Sequence, residues 1–173
     1  ALMFLTFSAS MKAGFWMLGA VFSFSLMAIS GRELSGELNS FEIMLWRSLA
    51  GIVIVLAFAW QFNTLDQIKF THLNLHALRN ISHFFGQTLW YFAVTQVTLA
   101  QLFAFEFTAP LWVALMAPLF LKETFTKRKF LAICVGFSGI LIISRPEAIG
   151  LSIGMLAAIF FSVGFAGSVL TTK

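Results

Sequence analysis

Long apolar stretches alternate with short polar breaks along the whole chain. A bilayer core about 30 Å thick is crossed by roughly 20 apolar residues in a helix. Six blocks meet or approach that length: residues 13–30, 41–60, 78–96, 99–121, 130–144 and 151–170. The third is the most polar, carrying Arg79, Asn80, His83 and Gln87. The fifth is the shortest and depends on flanking side chains that snorkel to the interface. The pattern predicts an all-α membrane protein with six transmembrane helices and no sheet. Connections are short except residues 61–77, which carry Asp66, Lys69, His72 and His76. The apolar stretch 1–10 lacks the basic start and cleavage site of a signal peptide and extends the first helix.

Composition sharpens this picture. Of 173 residues, 60% are hydrophobic and only 10% charged, and mean hydropathy is +0.92. Soluble domains carry roughly a quarter charged residues. A single cysteine, Cys134, excludes a disulfide scaffold and a Cys-based zinc site. The net charge of +4 does not indicate nucleic acid, because the basic residues lie scattered between apolar blocks. They sort by membrane side instead. The side of the amino terminus receives Lys12, Lys69, Arg79, Lys122, Lys127, Arg128, Lys129 and Lys173, and the other side only Arg32 and Arg145. The excess places the amino terminus in the cytoplasm and the chain in the cytoplasmic (inner) membrane.

The sixth block repeats the first at an offset of 138 residues: Met17 with Met155, Leu18 with Leu156, Ala20 with Ala158, Phe22 with Phe160, Ala28 with Ala166 and Ser30 with Ser168. Five crossings separate the two, so they run in opposite directions. An odd-numbered repeat that inverts is a transporter architecture. Residues 1–149 then form a first five-helix repeat, and residues 150–173 the first helix of a second, truncated one.

Charges inside apolar helices mark the candidate site, because each costs roughly 2.5–3.5 kcal/mol at a helix centre and faces a bundle interior or a cavity. Glu42 lies one residue into its block and belongs to the interface. Arg47 and Glu106 lie deeper, both about 10 Å below the surface opposite the amino terminus at 1.5 Å per residue. They form either an ion pair locking two helices or a site with an anion contact (Arg47) and a cation or proton contact (Glu106). Pro110 cannot donate to the Glu106 carbonyl, which predicts a kink beside that carboxylate. Pro118 does the same for Ala114. Trp90 and Tyr91 reach the same level, as belt anchors or as stacking partners for a planar solute. Trp46, Gln101 and Trp112 are weaker candidates. His72 and His76 are four apart, a metal-compatible spacing without a third ligand, so interfacial histidines are the default. Gly136 and Gly139 are expected to let the fifth helix pack closely, and Cys134 to fill the core.

Several pieces together resemble the EamA family of the drug/metabolite transporter superfamily. Trp90-Tyr91-Phe92-Ala93 resembles the end of that family's third helix, and Phe107-Thr108-Ala109-Pro110-Leu111-Trp112-Val113 its proline-bearing fourth. Leu121-Lys122-Glu123 resembles a helix-ending Leu-Gly-Glu. Ala132-Ile133 and Val135-Gly136-Phe137-Ser138-Gly139-Ile140-Leu141 resemble its fifth helix, and Arg145-Pro146 the Arg-Pro that often succeeds that helix. Arg47 sits where the second helix usually carries an arginine. The resemblance is nearest to bacterial carriers of riboflavin or S-adenosylmethionine. It implies a secondary transporter of small organic metabolites working by alternating access, and it supports Arg47 and Pro110 by position; with Trp90, Tyr91 and Glu106, placed by depth and cost, they are the expected substrate-binding residues. It implies no enzyme activity, no cofactor and no bound metal. The expected partners are a small-molecule substrate, the lipid bilayer, and either a homodimer mate or the missing second repeat. No Gly-rich phosphate loop is present. The alternatives are a membrane-embedded enzyme acting on lipid-linked substrates through Asp66, His72, His76 and His83, and a non-transporting membrane assembly subunit.

Overall fold

The computed structural model describes residues 8–65, 73–121, 124–144 and 151–172. Among these there is no strand, and seven helical segments succeed one another: α1 (Ala9–Leu34), α2 (Ser40–Gln61), α3 (Leu73–Gln96), α4 (Leu99–Glu106), α5 (Ala109–Phe120), α6 (Lys127–Ser144) and α7 (Ile153–Leu170). Segments α4 and α5 together make one span, so the described residues form six helices. Four of them are long and apolar enough by themselves: Ser10–Leu34, Ser40–Gln61, Leu99–Phe120 and Ile153–Leu170. The other two, α3 and α6, carry polar residues toward one end.

Local chemistry sets the helix ends. Ser8 and Ser152 cap α1 and α7, accepting from the amides of Met11 and Met155. Asn39 and Glu42 form a reciprocal capping box on α2, with Asn39 N–H donating to Glu42 Oε2 at 2.8 Å. Glu42 thus has a helix-starting role. Thr98 and Gln101 do the same for α4. At the far end of α2, Asn63 adopts a left-handed φ of 51°. The amides of Asn63 and Thr64 close onto the carbonyls of Trp60 and Ala59, the Schellman arrangement that ends a helix.

Several helices begin earlier than their apolar blocks, α1 at Ala9 among them. α3 starts at Leu73, not at 78, and α6 at Lys127, not at 130. No Pro or Gly interrupts residues 73–78 or 127–130, so each helix continues through the interface into polar sequence.

α7 occupies the middle of the bundle. It runs along α3 and also touches α5 and α4, while α1 and α2 meet α3 and α6 meets α4 and α5. The α3–α7 contact is made by glycines. A Cβ on Gly164 would stand 3.0 Å from the Cα and N of Gly86, and one on Gly86 would meet Phe165 at 2.8 Å. A Cβ on Gly154 would collide with that of Gln96. Such small residues bring backbones together where hydrophobic burial between helices contributes little. The core around this contact holds Trp90, Tyr91, Val94, Leu102, Phe105, Met155, Ala158 and Phe161. Arg32 ties α1 in: its Nε donates to Val94 O at 2.8 Å and its Nη2 to Val97 O.

Candidate functional site

Four residues of α3 fall on one stripe by helical spacing: Arg79, His83, Gln87 and Trp90, at intervals of four, four and three. All four line a cavity of about 300 Å³. Arg47 enters it from α2, Phe24 and Met27 from α1, Glu106 from α4, Phe165, Ser168 and Val169 from α7, and Thr172 from the turn after it. The cavity starts at the level of Arg47, Trp90 and Glu106. It extends toward Arg79, eleven residues down α3, about 16 Å along the axis. It therefore leads from the middle of the bundle to the side of the amino terminus and is not confined to the opposite third.

Glu106 is the last residue of α4, and the indole Nε1–H of Trp90 donates to its Oε2 at 3.0 Å. Trp90 is buried to 2% exposure and Tyr91 to 3%, so neither is a lipid-facing anchor. Their rings meet edge to face at 5.1 Å. Tyr91 points away from the cavity toward α1, where a Cβ on Gly31 would stand 3.1 Å from its Cε1. Arg47 and Glu106 line the same cavity without forming an ion pair. Among the described residues, Arg47, Arg79 and Gln87 have neither hydrogen-bond nor ion-pair partners. The His83 ring lies against Phe165 at 5.5 Å between centroids.

At Pro110 the expected kink is a full break. α4 ends at Glu106, and Pro110 sits in the first turn of α5, where its missing N–H costs nothing. Thr108 satisfies the Phe105 carbonyl through its amide (3.0 Å) and hydroxyl (2.6 Å). Pro110 itself is exposed and does not line the cavity. Pro118 lies inside α5.

The weaker candidates go elsewhere. Trp112 donates to Ser162 Oγ at 2.9 Å and lines a second, apolar cavity of about 280 Å³ with Phe105, Phe137 and Met155. Gln101 is buried and donates to Ser144 O at 3.3 Å, tying α4 to α6. Trp46 is 64% exposed. Gly136 packs against Leu111, whereas a Cβ on Gly139 would meet nothing within 4 Å. Cys134 is exposed and not a core residue, because it lies on the side of α6 turned away from α4 and α5. His76 is exposed. Asp66, Lys69, His72, Lys122, Glu123, Arg145, Pro146, Lys173 and the stretch 1–7 lie outside the described residues. Among those described, no group of three or more His, Cys, Asp or Glu side chains is placed to hold a metal.

Arg79 and the α7 hydroxyls were not singled out from the sequence. The signal for Arg79 was present in its i, i+4 relation to His83 and Gln87. Nothing in α7 marked Ser168 and Thr172 as cavity residues.

An all-helical, multi-pass chain with a charged, aromatic-walled cavity inside its bundle has the form of a small-molecule membrane carrier. The model of the EamA-like transporter family matches residues 11–145, and the chain belongs to that family. It is 26% identical over 151 residues to an S-adenosylmethionine uptake transporter of Rickettsia bellii, covering 87% of this chain and 52% of the relative. It is 30% identical over 131 residues to a riboflavin transporter of Brucella anthropi, covering 76% and 46%. An uncharacterized transporter of Helicobacter pylori is 24% identical over 148 residues, covering 82% and 50%. The chain spans about half the length of the curated relatives it matches. No solved structure matches it with comparable significance.

Proposed function

We propose that the chain serves secondary transport of small organic metabolites across the cytoplasmic membrane by alternating access, with the α1–α2–α3–α4–α7 cavity as the substrate site. The observation that carries this is the convergence of Arg47, Trp90 and Glu106, from three helices, on one cavity. Charges of this kind inside spans mark substrate or ion pathways. Arg47 contacts an anionic group, Glu106 a cation or proton, and Trp90 stacks against a planar part. Tyr91 supports Trp90 from behind through the edge contact, and Pro110 sets the break that ends α4 at Glu106. Residues 1–149 form a first repeat and 150–173 open a second. The half-length match and the offset of 138 residues both support that division. A second repeat or a second copy completes the carrier. The eight-to-two bias of basic residues supports a cytoplasmic amino terminus.

The relatives' names make S-adenosylmethionine and riboflavin the first substrates to test. Uptake of each into proteoliposomes, with and without a pH gradient, tests the proposal. Uptake of at least one is expected, with its pH dependence lost in Glu106→Gln while folding is kept. No gradient-driven uptake of any solute would overturn the transport reading. Normal uptake by the Gln variant at every pH would make Glu106 structural.

A further inference from the structure

The polar groups of the cavity are unevenly distributed along it. Two guanidinium groups, Arg47 and Arg79, face a single carboxylate, Glu106. Counting full charges gives two positive against one negative, leaving one positive charge uncompensated before His83 is considered. Glu106 is already engaged by the Trp90 indole through Oε2. Its other oxygen has no hydrogen-bond partner among the described residues. The two arginines come from different helices, α2 and α3, and neither meets an acidic partner among the described residues. Both side chains are exposed, Arg47 within its span and Arg79 near the amino-terminal end of α3, so their guanidinium groups are open to a ligand. An arginine fork is also the side chain best matched to a carboxylate or phosphate. Between the level of Arg47, Trp90 and Glu106 and that of Arg79, the wall is made by His83, Gln87 and Phe165.

We infer that this cavity selects a zwitterion whose charges sit at opposite ends of a flat or apolar body. Its carboxylate or phosphate lies between Arg47 and Arg79, and its ammonium or other cationic group lies on the free oxygen of Glu106. The inference rests on the cavity being the substrate site. With such a ligand bound, each charged group meets an opposite one: the two guanidinium groups share the ligand's anion, and the Glu106 carboxylate meets its cation. A purely cationic solute leaves both arginines uncompensated, and a purely anionic one leaves Glu106 without a donor other than Trp90.

Three probes sharing a benzene ring separate these cases: 4-(aminomethyl)benzoate (zwitterion), benzylamine (cation) and 4-methylbenzoate (anion). Binding is measured by calorimetric titration in maltoside micelles, whose uncharged headgroups cannot compete. The zwitterion should bind at least about tenfold more tightly than either single-charge probe, a difference of about 1.4 kcal/mol. Arg79→Gln and, separately, Arg47→Gln should weaken the zwitterion and the anion while leaving benzylamine unchanged. Glu106→Gln should weaken the zwitterion and benzylamine while leaving 4-methylbenzoate unchanged. Arg79→Lys, which keeps the charge, should retain most of the zwitterion binding. Equal affinities for all three probes, no binding of the zwitterion at millimolar concentration, or arginine variants that weaken benzylamine equally would overturn the inference. Uptake of solutes without charge selectivity would overturn it and leave transport standing. Zwitterion selectivity with no uptake of any solute would leave it standing and overturn transport.

Discussion

Helices α1 and α7 carry matching residues 138 positions apart, yet they occupy opposite environments. Met17 on α1 is 67% exposed and its counterpart Met155 on α7 is 2% exposed. Among the described side chains of α1 only Ala28 and Gly31 are buried, whereas α7 buries ten residues from Gly154 to Leu170. Hydrophobicity does not distinguish the two, because both are apolar along most of their length. The difference lies in small residues at particular positions. Where α7 has Gly154 and Gly164, the same offset on α1 places Trp16 and Leu26. The α7 glycines admit the α3 backbone, with Gly86 facing Gly164. On α1 the glycines fall elsewhere, and Gly14 and Gly19 have open space beside them. Within a bilayer, lipid is as apolar as leucine, so close backbone approach decides which helix becomes central.

The largest effect that tests this contrast is at the ring beneath the α3–α7 contact. Phe161→Ala, at a fully buried side chain, should lower stability by about 3 kcal/mol or more. Phe22→Ala on α1, at a side chain 66% exposed, should stay within about 0.5 kcal/mol. Reversible unfolding titrations in mixed micelles measure both, and equal losses would break the comparison. A smaller effect is expected at the glycines. Gly164→Ala forces a Cβ against the Gly86 backbone and should cost about 2 kcal/mol by overpacking. Gly19→Ala meets nothing and should be neutral or slightly stabilising through the better helix propensity of alanine. A Gly164→Ala protein that melts like wild type would show that the close approach is not what centres α7. The smallest concerns the Arg32 tie of α1. Arg32→Gln removes a charged donor from the Val94 and Val97 carbonyls and should cost about 1.5 kcal/mol. It should also raise amide exchange at the α3–α4 junction. An unchanged exchange pattern there would mean that α1 is held by apolar contact with Tyr91 alone.

Much of the fold was legible in the chain. Each apolar block became helical, and the capping residues Ser8, Asn39, Thr98 and Ser152 stand where four of the helices begin. Boundaries drifted where polar sequence stayed helical, at Leu73 and Lys127, because hydropathy marks the lipid and not the end of hydrogen bonding. Within the site, Arg47, Trp90 and Glu106 were legible from depth and cost, and the structure brings them to one cavity. Tyr91 shares the level of Trp90 but faces α1, because adjacent residues on a helix point about 100° apart, and Pro110 opens the next helix beyond the break and is exposed. Arg79 went unweighted because its block looked interfacial, and Ser168 and Thr172 because hydroxyls on an apolar helix carry no charge cost.

The sequence by itself determined the number of helices, their order and the positions of the charges within them. These are local sums, since span length and apolarity are fixed over about 20 residues without reference to any other helix. Only the tertiary structure decided that α7 stands at the centre, that Arg79 joins Arg47, and that Trp90 rather than Arg47 is the partner of Glu106. Those outcomes depend on how each helix is rotated about its axis and which backbones can touch. That is settled between helices by glycines facing glycines across a contact, and no single helix encodes it.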